Sequence, residues 1–146
     1  MSRNVQVRSF QVAIDCADPH GMADFWSQVL GYEVEDHSEA IRQIVAAGYA
    51  GAETEVMELD GRLAWRGAAA CRDPEGTRPR LLFQQVPEPK TVKNRLHLDV
   101  DVGIDGREAE LRRLVELGAR RLWDGEQGPH TWVTLADPEG NEFCIT

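Results

Sequence analysis

Asp73-Pro74-Glu75-Gly76 recurs word for word as Asp137-Pro138-Glu139-Gly140, and each copy ends a series of landmarks in the same order. Working backwards, Leu30-Gly31 closes one helical pattern and Leu117-Gly118 closes another. Ahead of each helix lies an alternating segment, Gln11-Val12-Ala13-Ile14-Asp15-Cys16 in the first half and His97-Leu98-Asp99-Val100-Asp101-Val102 in the second. The spacing from alternating segment to Leu-Gly is nearly equal in the two halves. The first half then carries an extra stretch before its Asp-Pro-Glu-Gly. One four-letter match is within reach of chance, but ordered landmarks at matched spacing mark an internal repeat. The chain is two copies of one module.

Each copy reads as strand, helix, then further strands. Residues 7–16 alternate, with Val12, Ile14 and Cys16 on one face. Asp18 suits a helix cap, and Pro19 fits the first helical position, where its missing N–H costs nothing. Met22, Phe25, Trp26, Val29 and Leu30 follow the spacing of a core-facing helix, which Gly31 ends. In the second copy Asp105 is the expected cap, Glu108 the partner in a capping box, and Leu111, Leu114 and Val115 the apolar stripe. Short strands are expected after Gly31 and Gly118, then over 62–71, 80–86, 131–136 and 142–146. Residues 38–48, with Ile41, Ile44 and Val45 on one side, predict a helix inserted into the first copy. Asp-Pro-Glu-Gly is turn chemistry, and Pro87-Glu88-Pro89-Lys90 is a linker.

The rest of the composition narrows the function. The chain has 146 residues, 42% hydrophobic and 28% charged, with a net charge of −9. A chain this acidic repels phosphate backbones and anionic lipid, so nucleic-acid and membrane-surface roles are not expected. The stretch Ile44 to Ala52 is broken by two glycines and is too short to span a bilayer. No apolar signal core follows Arg3, and three widely spaced cysteines, Cys16, Cys71 and Cys144, do not make a disulfide framework. A cytoplasmic protein is the expectation.

A module of this size cannot bury both its helix and its sheet face alone, whereas two copies can join and enclose a cavity. The fold expected is therefore α+β: two tandem βαβββ modules, 7–86 and 95–146, forming one domain over 1–146 with a curled mixed sheet around a cavity. That arrangement resembles the vicinal oxygen chelate superfamily, which includes glyoxalase I, extradiol dioxygenases, and bleomycin- and fosfomycin-resistance proteins. Phe25-Trp26 with Leu30-Gly31-Tyr32, Leu82-Phe83-Gln84 with Val86-Pro87-Glu88, Lys93 to Asp99, and Asp137 to Cys144 are similar to its glyoxalase-like branch.

The resemblance implies a site. Metal-using members of the superfamily direct four ligands into the cavity, one from the first and one from the last strand of each module. The repeat register puts Gln11 and His97 at the first-strand positions. Cys144 stands where metal-binding relatives often have glutamate. Matching Phe83 to Phe143 puts Gln84 in the corresponding place of the first copy, with Leu82 as the rival occupant. Two neutral amides are weak donors, so a strong divalent-metal site is disfavoured. If a metal binds, its ligands come from His97, Gln11, Gln84 and Cys144, or Glu142 as a substitute. Homodimers are common among such proteins, and a homodimer is expected on resemblance alone.

His97 alone has an ordinary pKa that allows proton exchange near neutrality, which gives it the catalytic or principal hydrogen-bonding role. Asp99 shares its face and either orients it or ends the strand in water. Gln11, Gln84 and Cys144 complete the polar floor. Trp65 and Trp132 precede the two turns and either line the cavity or pack in the core. Trp26 belongs to the helix core. Two functions follow: a small-molecule-binding protein, sequestering a compound or catalysing a modest acid–base step, and a metal-dependent lyase, isomerase or dioxygenase. A noncatalytic interaction module is a third, expected only if side chains fill the cavity.

Overall fold

The computed structural model describes residues 5–49 and 51–146. The start that sequence analysis reads as lacking a signal core falls largely on residues 1–4, outside the described residues, as does Ala50 within the broken apolar stretch. Among the described residues no helix is long and apolar enough to cross a membrane.

The first module opens with β1 (Val12–Cys16), followed by α1 (Pro19–Leu30) and β2 (Glu33–Val34). Residues 5–11 are not in the strand, which is shorter than the alternation from residue 7 predicts. The Asp18 carboxylate accepts the Gly21 N–H, Pro19 starts the helix, and Gly31 ends it in the left-handed region at φ 69°. Then comes the insertion: α2 (Ser38–Ala46), α3 (Ala52–Glu55), β3 (Val56–Leu59) and β4 (Arg62–Trp65). The strand expected over 62–71 is therefore two strands. β4 turns back on β3 through Asp60-Gly61, both at positive φ, and β5 (Ala68–Arg72) returns to the main sheet. β6 (Leu81–Gln85) completes that sheet in the order β1-β6-β5-β2.

The second module repeats the plan with β7 (Asp99–Val100), α4 (Arg107–Leu117), β8 (Arg120–Gln127), β9 (His130–Ala136) and β10 (Glu142–Ile145), in the order β7-β10-β9-β8. In both sheets the first strand runs parallel to the last, and the other pairings are antiparallel. Strand order and direction thus reproduce the repeat seen in the sequence. The expected capping box is absent. Asp105 lies in a 3-10 turn (Ile104–Gly106), Gly106 precedes α4 without a side-chain cap, and Glu108 instead accepts from Arg121. Arg121, on the strand packed beside α4, offers that carboxylate a cation that a backbone N–H cannot match.

One continuous core joins the modules. Met22, Phe25 and Trp26 from α1 pack with Leu111, Leu114, Val133, Leu135 and Phe143 from the second copy. The Trp26 and Phe143 rings meet edge-on at 4.9 Å, and Phe25 and Phe143 at 6.2 Å. Ile41, Val56, Ala64 and Ala70 are also buried but lie outside this cluster. α2 packs on β4, and β4 reaches β5. The insertion thus covers part of the first sheet's face away from α1, where Ala70 is fully buried.

Candidate functional site

The pairing of strands decides which residues share the site. In the second sheet Asp99 pairs with Cys144, and Cys144 with Thr134. In the first sheet Ala13 pairs with Leu82, and Leu82 with Ala70. Ala70 and Thr134 each lie three residues before their Asp-Pro-Glu-Gly. One row is therefore carboxylate, thiol and hydroxyl, and its counterpart is Ala, Leu and Ala. Leu82, not Gln84, stands in the place of Cys144. The chain makes a longer excursion after Gly76, where the Asp73 carboxylate holds the Thr77 and Arg78 N–H groups, and this shifts the match away from Phe83. Gln84 matches Thr146 instead.

The second-module row opens into a pocket of about 360 Å³, lined by Lys93, His97, Asp99, Trp123, Trp132 and Cys144, among others. His97 Nδ1 and Asp99 Oδ1 are 3.0 Å apart, so the carboxylate orients the ring. The Thr134 hydroxyl and Cys144 sulfur lie 3.4 Å apart. Burial raises the Cys144 thiol pKa, the Thr134 contact opposes this, and the nearby Asp99 charge raises it further.

Two tryptophans form the apolar wall. Trp132 on β9 pairs with Gly125 on β8, where an added Cβ would sit 2.2 Å from the indole ring. Only glycine leaves room for that ring. Trp123 reaches the pocket through a β-bulge: the register shifts between Arg121 and Trp123, which pairs Trp123 with Thr134. Sequence analysis named Trp132 and missed Trp123, Lys93 and Thr134. The alternation of β8 is broken by the bulge, so periodicity gives no signal for Trp123, although the glycine facing an aromatic strand is a cue.

Of the other expected residues, Glu142 alone also lines this pocket. Gln11 and His97 both line an adjoining, mostly apolar groove of about 740 Å³ between β1 and the segment before β7. The Gln11 amide oxygen, however, accepts from Arg80 at 3.0 Å. Gln84 is exposed and lines neither hollow; its carbonyl faces the Cys16 sulfur at 3.6 Å. Trp65 ends the second strand of the inserted hairpin, where its carbonyl meets His20 Nε2 at 2.7 Å. Glu142 borders both hollows, but its carboxylate is engaged by Lys90 and the Asn94 N–H, each at 2.9 Å. Burial opposes its ionisation, yet these two donors outweigh burial and hold its pKa below the usual range.

A divalent cation is what the resemblance implies here, and the donor set bears on it directly. One ligand atom each from His97, Asp99 and Cys144 lies within 4.8 Å of the others. The expectation against a strong metal site rested on Gln11 and Gln84 filling out the set. The strands assemble a different set, with a carboxylate in it, and an imidazole, a carboxylate and a thiol together fit a dication that accepts mixed donors.

The glyoxalase-like domain family matches residues 11–146. No curated protein matches the sequence. Among solved structures, a glyoxalase/bleomycin resistance protein/dioxygenase family enzyme from Burkholderia phytofirmans PsJN is 18% identical over 92% of this chain and 94% of its own, with TM-score 0.62. The fosfomycin resistance protein FosX from Mesorhizobium loti is 13% identical over 99% and 91%, with TM-score 0.57. The FosX of Listeria monocytogenes, solved with Mn(II) and a dihydroxypropylphosphonic acid, is 8% identical over 97% and 90%, with TM-score 0.61. These likenesses agree with the α+β architecture of two repeated modules, and with the family match over almost the whole sequence, the chain belongs to the glyoxalase-like domain family of the vicinal oxygen chelate superfamily.

Proposed function

We propose that the chain is a small-molecule-binding protein whose ligand sits in the second-module pocket, with His97 as its polar anchor. The observation that carries this reading is the His97–Asp99 pair facing Trp123 and Trp132 across one concavity. With its proton on Nδ1 and donated to Asp99, the imidazole offers Nε2 as an acceptor or base toward a bound molecule. The indoles supply flat apolar walls suited to a planar group. Native mass spectrometry of protein purified from cells tests this. The wild-type chain is expected to carry a small organic ligand that His97→Ala loses; equal retention by the variant overturns the reading.

A second reading, a metal-dependent lyase, isomerase or dioxygenase, is favoured by the convergence of His97, Asp99 and Cys144. A metal held there supplies Lewis acidity to a ligand oxygen. Around it Asp99 orients the imidazole and the tryptophans restrict water. We also propose a homodimer, supported by exposed Phe10 and Leu96 on the rim of the apolar groove. Light scattering is expected to give twice the 16.3 kDa chain mass; a monomer at high concentration overturns it.

A further inference from the structure

We infer that the second-module pocket selects planar aromatic monoanions, the Lys93 ammonium holding the ligand's carboxylate while its ring lies against Trp123 and Trp132. The inference deepens the small-molecule-binding reading above and rests on it.

The pairing of charges around the pocket carries the argument. Besides the imidazole, its charged lining is Lys93, Asp99 and Glu142. Both carboxylates are already engaged. Asp99 meets the His97 ring at 3.0 Å, and Glu142 accepts from Lys90 and the Asn94 N–H, each at 2.9 Å. Lys93 differs. Among the described residues no carboxylate forms an ion pair with it, and its ammonium meets the Asn94 carbonyl at 3.5 Å, the outer limit of a hydrogen bond. Burial raises the Cys144 thiol pKa and the Lys93 charge acts against that rise, which puts the ammonium near the row of Asp99, Cys144 and Thr134. In a chain of net charge −9, the cation that borders this pocket is left without an acidic partner.

An unanswered cation sets the class of ligand. An ammonium makes charge-assisted hydrogen bonds with an anion, and these strengthen where apolar walls lower the local dielectric. A single lysine is a point charge, which suits a singly charged carboxylate; the bidentate grip on phosphate belongs to the arginine fork. A cationic ligand would instead face the ammonium with no carboxylate free to receive it. The two indoles offer flat apolar surface for an aromatic ring, and the volume of about 360 Å³ lies at the small end of ligand pockets.

The test is calorimetric titration of the full chain with naphthoate, naphthamide and naphthylmethylammonium, probes of similar shape and different charge. At about pH 8 an ordinary imidazole is neutral and an ordinary lysine charged, so the comparison reads Lys93. Naphthoate is expected to bind about tenfold or more tightly than naphthamide, and the ammonium probe most weakly. Lys93→Met is expected to weaken naphthoate about tenfold and change naphthamide about twofold or less, while Lys93→Arg keeps the preference. Lys93 is exposed, so the urea midpoint of both variants should match wild type. Equal affinity for naphthoate and either other probe, no binding of any probe, or a preference that survives Lys93→Met overturns the inference. A copurified ligand that His97→Ala loses but that carries no acidic group would leave the binding reading standing while this one fails. A Lys93-dependent preference indifferent to His97→Ala would support this inference and overturn His97 as the anchor.

Discussion

The Trp26 indole N–H donates to the Asp137 carboxylate at 3.1 Å, joining residues 111 apart in sequence. Asp137 is the first residue of the repeated turn in the second copy, and Trp26 lies in the helix of the first. The same carboxylate accepts the Glu139 and Asn141 N–H groups, while burial raises its pKa above the usual carboxylate value. Asp73 holds the turn of the first copy in the same way, but its pKa falls to about 2; there the opposing effect of burial is outweighed by bonds from Glu75, Thr77 and Arg78. The repeated turn thus became a joint between modules in one copy only.

Asp137→Ala should therefore destabilise the whole chain and not just one turn. It strands the Trp26 N–H in the core and frees the backbone donors of the turn, a loss of about 3 kcal/mol. Urea unfolding followed by fluorescence and by circular dichroism is expected to shift in one coincident transition. Separate transitions for the two halves would show that 7–86 and 95–146 fold independently.

Glu139 makes a second stitch, its carboxylate accepting the Ala17 and Asp18 N–H groups at 2.6 and 2.9 Å where α1 begins. Negative charge at a helix start is favourable, so Glu139→Ala is expected to cost about 1 kcal/mol. Glu139→Gln should recover part of that loss. The measurement is the shift in urea midpoint of the two variants.

Gly125→Ala is expected to displace the Trp132 ring, because the new methyl group would occupy the ring's position. The pocket wall moves while the core, which does not include Trp132, remains. Ligand retention should fall sharply, with unfolding changed by about 1 kcal/mol or less. Unaltered tryptophan emission and unaltered retention would show that the wall tolerates the change.

Arg80 grips Glu35 through Nε and Nη2, at 2.6 and 3.0 Å, and this contact first, with His37, lowers the Glu35 pKa against the effect of burial. A carboxylate whose pKa falls on folding adds stability above its unfolded pKa and loses it as pH drops through the folded value. Arg80→Met should therefore cost about 1 kcal/mol at neutral pH, part-exposure of the arginine limiting the effect. The difference from wild type should shrink steadily as pH falls below the ordinary glutamate pKa of about 4.3. A difference independent of pH would assign the loss to packing of the arginine stem.

The architecture was legible because repeated landmarks survive where pairwise packing details do not. Gly31, Gly118 and the two Asp-Pro-Glu-Gly turns mark element ends by backbone chemistry, and element ends set topology. Of the residues sequence analysis proposes for the site, the structure brings together mainly those of the second copy. Asp99, Cys144 and Trp132 stand on strands whose alternation is regular, and His97 lies two residues ahead of Asp99 in the segment leading into β7. Gln84 was placed by the likeness of Phe83 to Phe143, and likeness of one aromatic cannot reveal the longer path after Gly76. Trp123 is re-aimed by a bulge, which leaves no periodic trace. Asp105 has the chemistry of a cap, but the 3-10 turn around it moves the start of α4 beyond its reach.

The covering of the first sheet by α2 and the β3–β4 hairpin has a consequence for how the chain tolerates change. Two descendants of one module now live under different rules. Around Ala70, Ile41, Val56 and Ala64, substitutions are judged by volume, and a larger side chain has nowhere to go. Around Asp99, Cys144 and Thr134, the same positions of the ancestral plan are judged by chemistry, and shape can drift provided the polar atoms stay. A library spread evenly over both halves should divide along the repeat, with losses of folding clustered in the first copy and losses of binding in the second.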